Sequence, residues 1–342
     1  MRAHIRTGLV LALSVGMLAW FLRGADLREV WGEIQNGRVG LLALAVGVTG
    51  MTYVFRALRW QYLLRPLGTP PFSAVFKTTV IGFAASTLLP ARAGEVVRPY
   101  LLARRSGFSA TSAFATIVLE RLLDLITVLL LFGFYLAFSR PAIAVEHSAA
   151  FVALKSGGML AAIASVAGLA FMMVVAGHPE KLSAWALRVE RVLPSKIATA
   201  MAQLVRTFLE GLAVVRQPGR LAVAGLLSLP LWLSIALGIW STSRAFHIDM
   251  SYPGSFLIMA VLVVGVAVPT PGAVGGFHKA YQIGAVAFFG VANDRAVGAA
   301  VVLHAISFVP VTIAGAIFLA QEGLSLGRVR GLAAPSSPGD AA

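Results

Sequence analysis

The sequence predicts an all-α integral membrane protein of about six full transmembrane helices plus two broken re-entrant helical hairpins, arranged as two inverted repeats. Three observations predict it. The mean hydropathy is +0.84, with 58% hydrophobic and only 12% charged residues in a chain of 342. Apolar segments long enough to cross a hydrocarbon core of roughly 30 Å recur from one end to the other. Two such regions are interrupted by Pro and Gly, one in each half.

The first apolar segment runs from Ile5 to Leu22 behind Arg2 and Arg6. No small-residue A-x-A-like site ends it, so it reads as an uncleaved span over 7–22. Further full spans are expected at 39–57, 113–138, 152–177, 221–243 and 296–320. Regions 73–106 and 252–290 are apolar but broken, at Leu89-Pro90 and at Pro269-Thr270-Pro271-Gly272. Each half of each region has only about 15 residues, the short limit for spanning. Non-helical backbone at bilayer depth persists only where protein buries it or where it lines a wet cavity. Each region therefore reads as a hairpin with its tip inside the protein.

Loop charges set the orientation. Segment 178–220 carries Lys181, Arg188, Arg191, Lys196, Arg206, Arg216 and Arg220, and 56–65 carries Arg56, Arg59 and Arg65. Loop 139–150 has Arg140 against Glu146, and 23–38 balances its Arg with Asp26, Glu29 and Glu33. Lys and Arg favour the cytoplasm, so 56–72 and 178–220 read as cytoplasmic and both termini as inside. Arg56, Arg59, Trp60 and Tyr62 read as an interfacial anchor belt. Residues 1–330 form a single polytopic domain, with repeat one at 1–148 and repeat two at 149–330. Within it, 178–220 is an amphipathic segment on the inner surface, with Leu182, Trp185 and Val189 on one side. The tail at 331–342 reads as disordered. The expected location is the cell's inner (plasma) membrane, multi-pass.

Composition also removes some function classes. The +14 net charge fits positive-inside topology and contact with anionic lipid heads better than nucleic acid. With no Cys there is no disulfide framework and no thiolate metal site. His278 and His304 have no evident third ligand, so neither a metal nor a cofactor is expected.

The two halves share an order of parts. A shift of 183 residues carries Gly107-Phe108 onto Gly290-Val291, Ala113 onto Ala296, Glu120-Arg121 onto Leu303-His304 and Asp124 onto Ser307. Three full crossings in each half, an odd number, require the second half to be inverted. Paired broken segments in inverted halves point to a site near the midplane.

Charge set into apolar sequence locates that site, because a charge at bilayer depth costs roughly 2.5–3.5 kcal/mol on insertion scales. After Pro90, Arg92, Glu95 and Arg98 stand at i, i+3 and i+6 and, if helical, share a stripe behind a helix N-terminus that favours anions. Glu120 and Asp124 stand at i and i+4 on one face, and Arg121 can pair with Asp124. The planar guanidinium fork suits a phosphodiester. Folding both clusters together predicts one cavity, entered from the cytoplasmic side, lined by Arg92, Glu95, Arg98, Glu120, Arg121 and Asp124 and facing the Pro269–Gly276 break. At that break Pro269, Pro271, Gly272 and Gly275 are candidate substrate contacts, through free N–H groups at the next half-helix. The alternative is a bent tip with no ligand. His278 and His304 are candidates to relay protons near neutral pH, or are hydrogen-bonded core residues.

Pro90-x-Arg92-x-Gly94-Glu95-x-x-Arg98, Ser109, Ala113 and Glu120-Arg121-x-x-Asp124 resemble the membrane region of lysylphosphatidylglycerol synthase/flippase proteins. Pro269-Thr270-Pro271-Gly272-x-x-Gly275 resembles that family's second broken hairpin. In the family a carboxylate usually stands at the place of His278 and often an Arg at that of His304. The resemblance implies a stand-alone flippase-like protein without the soluble aminoacyl-transferring domain, and so one that does not make lysyl-lipid. The leading expectation is a translocase for a phosphate-bearing lipid, either an anionic phospholipid or a polyprenyl-phosphate. A membrane enzyme or accessory acting on a polyprenyl-phosphate, with Glu120 and Asp124 as its acid/base pair, is one alternative. A lipid-binding scaffold without transport is another, and homodimerisation stays open.

Overall fold

The computed structural model describes residues 2–89, 92–139, 148–177, 195–268 and 270–323. They form twelve α-helices and no strand. The first half contains α1 (Arg2–Leu22), α2 (Leu27–Gln35), α3 (Val39–Leu64), α4 (Phe72–Leu88), α5 (Gly94–Ser106) and α6 (Ala110–Phe138). The second contains α7 (Ala149–Gly177), α8 (Ser195–Gly211), α9 (Pro218–Ala245), α10 (Gly254–Ala267), α11 (Gly276–Phe289) and α12 (Asn293–Gln321).

Four helices, α3, α7, α9 and α12, are long and apolar enough to cross a membrane. They cover the expected spans at 39–57, 152–177, 221–243 and 296–320. The expected span 7–22 falls in α1, whose Ala12–Leu22 part is a shorter apolar stretch. The expected span 113–138 falls in the 29-residue α6, which carries Glu120, Arg121 and Asp124. Helix α7 presents Met159, Leu160, Ile163, Val166 and Phe171 outward, each more than 60% exposed. Such an apolar face is stable only against lipid or a partner.

Local sequence explains the element ends. Asp26 N-caps α2 by accepting from the backbone of Arg28 and Glu29, which builds a short helix in a loop whose charges merely balance in sequence. Ser109 caps α6 through the Thr111 N–H. Gly107 and Gly290 close α5 and α11 at φ 74° and 63°, the left-handed region that ends helices. The 183-residue shift carries one of these glycines onto the other. It also carries α6 onto α12, each of 29 residues.

Helix neighbours come in pairs that exchange under this shift. Helix α4 packs on α12 and α10 on α6; α4 packs on α5 and α10 on α11; α5 packs on α6 and α11 on α12. Helices α3 and α9 pack along each other antiparallel, because the Arg38 N–H donates to the Ala245 carbonyl while Thr52 meets Ser234 and Arg59 meets Ser228. Each hairpin is closed by a glycine pair, Gly82 on Gly94 and Gly265 on Gly276. A Cβ on Gly82 would lie 2.7 Å from the Arg98 Cβ, and one on Gly265 would lie 2.5 Å from the Gly276 oxygen. Only glycine lets these half-helices approach so closely.

The apolar core is split. One cluster gathers Phe21, Phe132, Phe246, Phe256 and Tyr281, and a second gathers Trp60, Leu64, Leu102, Leu119 and Leu212. Segment 195–211 of the expected surface segment is α8, which packs on α6. Its part at 178–194, the residues 140–147 and the tail 331–342 lie outside the described residues.

Candidate functional site

The tips of the two hairpins meet inside the helix bundle. Arg92 sits at φ 52° between α4 and α5, and its Nη2 donates to the Val266 carbonyl at the end of α10 at 2.6 Å. Gly272 faces Thr87 of α4. Helix α5 begins at Gly94, not at Pro90, so Arg92 stands outside the helix that carries Glu95 and Arg98. The continuous stripe expected of these three is therefore broken, and a backbone turn aims Arg92 at the opposite hairpin. Pro90 and Pro269 lie outside the described residues.

Between the tips lies a cavity of about 450 Å³. Arg56, Arg92, Glu95, Arg98, Arg121 and Asp124 line it, with Thr52, Tyr53 and Trp232. So do Ile235, Ile239, Leu262, Val263, Val266 and Leu303, and Thr270 and Gly272 from the second tip. Of the sequence candidates, Arg92, Glu95, Arg98, Arg121, Asp124 and Gly272 share this cavity. Pro271, Gly275, His278 and His304 do not reach its wall. Nor does Glu120, which stands behind it with no exposed surface.

The cavity floor is an ion-pair network. Glu120 Oε1 lies 3.0 Å from Arg98 Nη1, 2.8 Å from Arg121 Nη2 and 3.4 Å from Arg59 Nη2. Asp124 Oδ1 accepts from Arg59 Nη1 at 2.6 Å and from the Trp232 indole at 2.8 Å, while its Oδ2 lies 3.5 Å from Arg121. Arg59 also donates to Ser228 at 2.8 Å. The Arg98 guanidinium stacks 3.8 Å over the Trp60 ring, whose N–H donates to Thr116. Networks of this kind hold when every member is paired, and removing one partner strands a buried charge.

Arg59 and Trp60 are fully buried and Arg56 is 9% exposed, which corrects the anchor-belt reading of this segment. Two Arg, a Trp and a Tyr at the end of a span have the composition of an interfacial belt. Here two carboxylates on α6 draw the Arg59 guanidinium inward instead. The missed signal was periodicity: Thr49, Thr52, Arg56 and Arg59 recur at three- and four-residue spacing, one polar face through an apolar helix.

Arg56 differs from its neighbours. Its guanidinium lies 4.7 Å from the Phe83 ring centroid and 6.0 Å from that of Trp232. Its Nη1 is buried with no hydrogen-bond partner, and no carboxylate pairs with it among the described residues. A buried, unpaired cation on a cavity wall is costly unless a ligand completes it.

The two histidines form a separate unit beneath the second tip. Their rings stack with centroids 4.3 Å apart, among Phe21, Phe277 and Phe308. His304 Nε2 lies 2.7 Å from the Gly272 oxygen, so this nitrogen carries the proton and donates it. His278 Nδ1 accepts from the Gly275 N–H at 3.2 Å. Among the described residues no three His, Cys, Asp or Glu converge as a metal site.

Known proteins place this architecture in context. Over 92% of its length the chain is 26% identical to the glycosyltransferase AglD of Haloferax volcanii. It spans only 54% of that curated relative. A family model matches residues 8–315, covering both hairpins, the helices that cradle them and every residue of the ion-pair network. The chain is thus a membrane protein of the lysylphosphatidylglycerol synthase TM region family.

Proposed function

We propose that this protein is a translocase that moves a phosphate-bearing lipid, anionic or polyprenyl-type, between the leaflets of the cell's inner (plasma) membrane. The observation that carries this reading is the mixed lining of the cavity between the hairpin tips. Its guanidiniums suit phosphate oxygens. Its aliphatic side chains suit a lipid tail. In this reading the chain has six crossings, two re-entrant hairpins and both termini in the cytoplasm. The antiparallel packing of α3 on α9 and the exchange-related helix neighbours support two inverted repeats around a central site. In the same reading Pro271 and Gly275 shape the tip that closes on the lipid.

The test is a leaflet-resolved assay. Reconstituted protein is expected to speed the exposure of a tail-labelled anionic phospholipid to a membrane-impermeant quencher. A rate equal to that of empty liposomes overturns translocation.

The relative's name favours a second reading, a membrane enzyme or accessory for sugar transfer to a polyprenyl-phosphate. Label passing from a nucleotide-sugar into an extractable polyprenyl lipid, with purified protein alone, would support it. In the structure Glu120 Oε1 and Asp124 Oδ1 are occupied by guanidinium and indole donors, an arrangement that favours anchoring over acid/base work.

A further inference from the structure

The charge balance of the cavity says which phosphate it suits. The ion-pair network and Arg56 together hold four guanidiniums, Arg56, Arg59, Arg98 and Arg121, against two carboxylates, Glu120 and Asp124. Adding Arg92 and Glu95, which also line the cavity, adds one charge of each sign. The excess is two positive charges on either count. The undescribed residues at the two tips, Pro90, Ala91 and Pro269, carry no side-chain charge.

Donor capacity points the same way. On the cavity lining, Arg56 Nη1 and Arg98 Nε and Nη2 are buried without hydrogen-bond partners among the described residues. Two uncompensated charges in an apolar surrounding are costly, and a ligand of matching charge removes that cost. A phosphodiester brings one negative charge. A terminal phosphate monoester brings nearly two above its second ionisation near pH 6, with three acceptor oxygens. A diphosphate brings at least as much.

We infer that the head group this cavity takes is dianionic, a lipid phosphomonoester or diphosphate rather than a phosphodiester, with Arg56 as the residue that selects it. The inference rests on the lipid reading above and deepens it. Arg56 lines the same cavity as Arg98 and Arg121 but has no carboxylate ion pair of its own among the described residues, so the second charge of the head group is what it answers.

The experiment compares three probes in phosphatidylcholine nanodiscs at pH 8: dioleoyl phosphatidic acid, dioleoyl phosphatidylglycerol and inorganic phosphate. Phosphatidic acid is expected to bind about 10-fold or more tighter than phosphatidylglycerol, the change that one further charge-assisted hydrogen bond gives. In Arg56→Gln that preference falls towards one while the melting temperature holds. Arg56→Lys, which keeps the charge, keeps the preference and covers the case of a Gln variant that folds poorly. Equal or tighter binding of phosphatidylglycerol overturns the dianion inference and leaves the lipid reading standing. If neither anionic lipid outcompetes phosphatidylcholine, the lipid reading falls as well. Inorganic phosphate binding as well as phosphatidic acid overturns the inference that the ligand is a lipid.

Discussion

Arg59 and Asp124, on α3 and α6, meet at 2.6 Å with both side chains almost wholly buried. Asp124 also accepts from Trp232 of α9. This one carboxylate thus ties three helices together beneath the cavity, and the pair is structural in a way that Arg56, one turn away, is not.

The first prediction follows from that contrast. Arg59→Met strands Asp124 and should destabilise the folded protein by about 3–5 kcal/mol. Asp124→Asn should have a similar effect, and the double variant should lose less than the sum of the two, because the charges are removed together. Thermal unfolding in detergent reads all three. Fully additive losses would show that the pair is not coupled.

The cavity wall gives a second expectation. Arg98→Gln removes a donor to Glu120 and should both lower the melting temperature and weaken anionic lipid binding. Arg92→Gln, at an exposed residue whose hydrogen bond among the described residues is to a carbonyl, should weaken binding while folded yield holds. A charge-assisted bond is worth roughly 1.5–3 kcal/mol, about 10- to 150-fold in affinity. Unchanged binding in both variants removes these residues from the site.

Topology gives the third. Single cysteines replacing Thr69 and Gln217, both exposed, should be labelled from the cytoplasm, and those replacing Trp31 and Asp249 from outside. The chain has no cysteine of its own, so the assay has no background. Labelling of positions 69 and 249 from one side would end the inverted-repeat arrangement.

The histidines provide the fourth. If the stacked pair carries a coupling proton, transport should depend on pH, and His278→Gln should flatten that dependence. A profile unchanged in both His278→Gln and His304→Gln would leave the pair with the role its bonds already indicate, holding the tip through Gly272 and Gly275.

How much of this was legible in the sequence depends on distance along the chain. Glu120 and Asp124 share a helix face that a four-residue spacing reveals, and the paired breaks at 89–90 and 269–272 mark both hairpins. What sequence did not reveal is which partners α6 would find. Arg59 lies 65 positions from Asp124 and Trp232 lies 108 away, so no local pattern joins them. The start of α5 was misplaced for a different reason. Pro90 carries the signal of a first helical residue, but the chain first makes a left-handed turn at Arg92 and enters the helix only at Gly94.

The glycine seams inside the two hairpins set limits on how this molecule can move. Where Gly82 meets Gly94, and Gly265 meets Gly276, backbone lies against backbone with no side chain between to deform. Such a contact cannot slide by a fraction of a turn without collision. Each hairpin is therefore a stiff wedge, and bending is left to the short joints at 65–71, 107–109, 246–253 and 290–292. A Gly82→Ala or Gly265→Ala substitution would jam the wedge itself, costing about 1–3 kcal/mol or more. In the translocase reading proposed above, stiffening a joint would instead leave the fold intact and slow the movement of lipid.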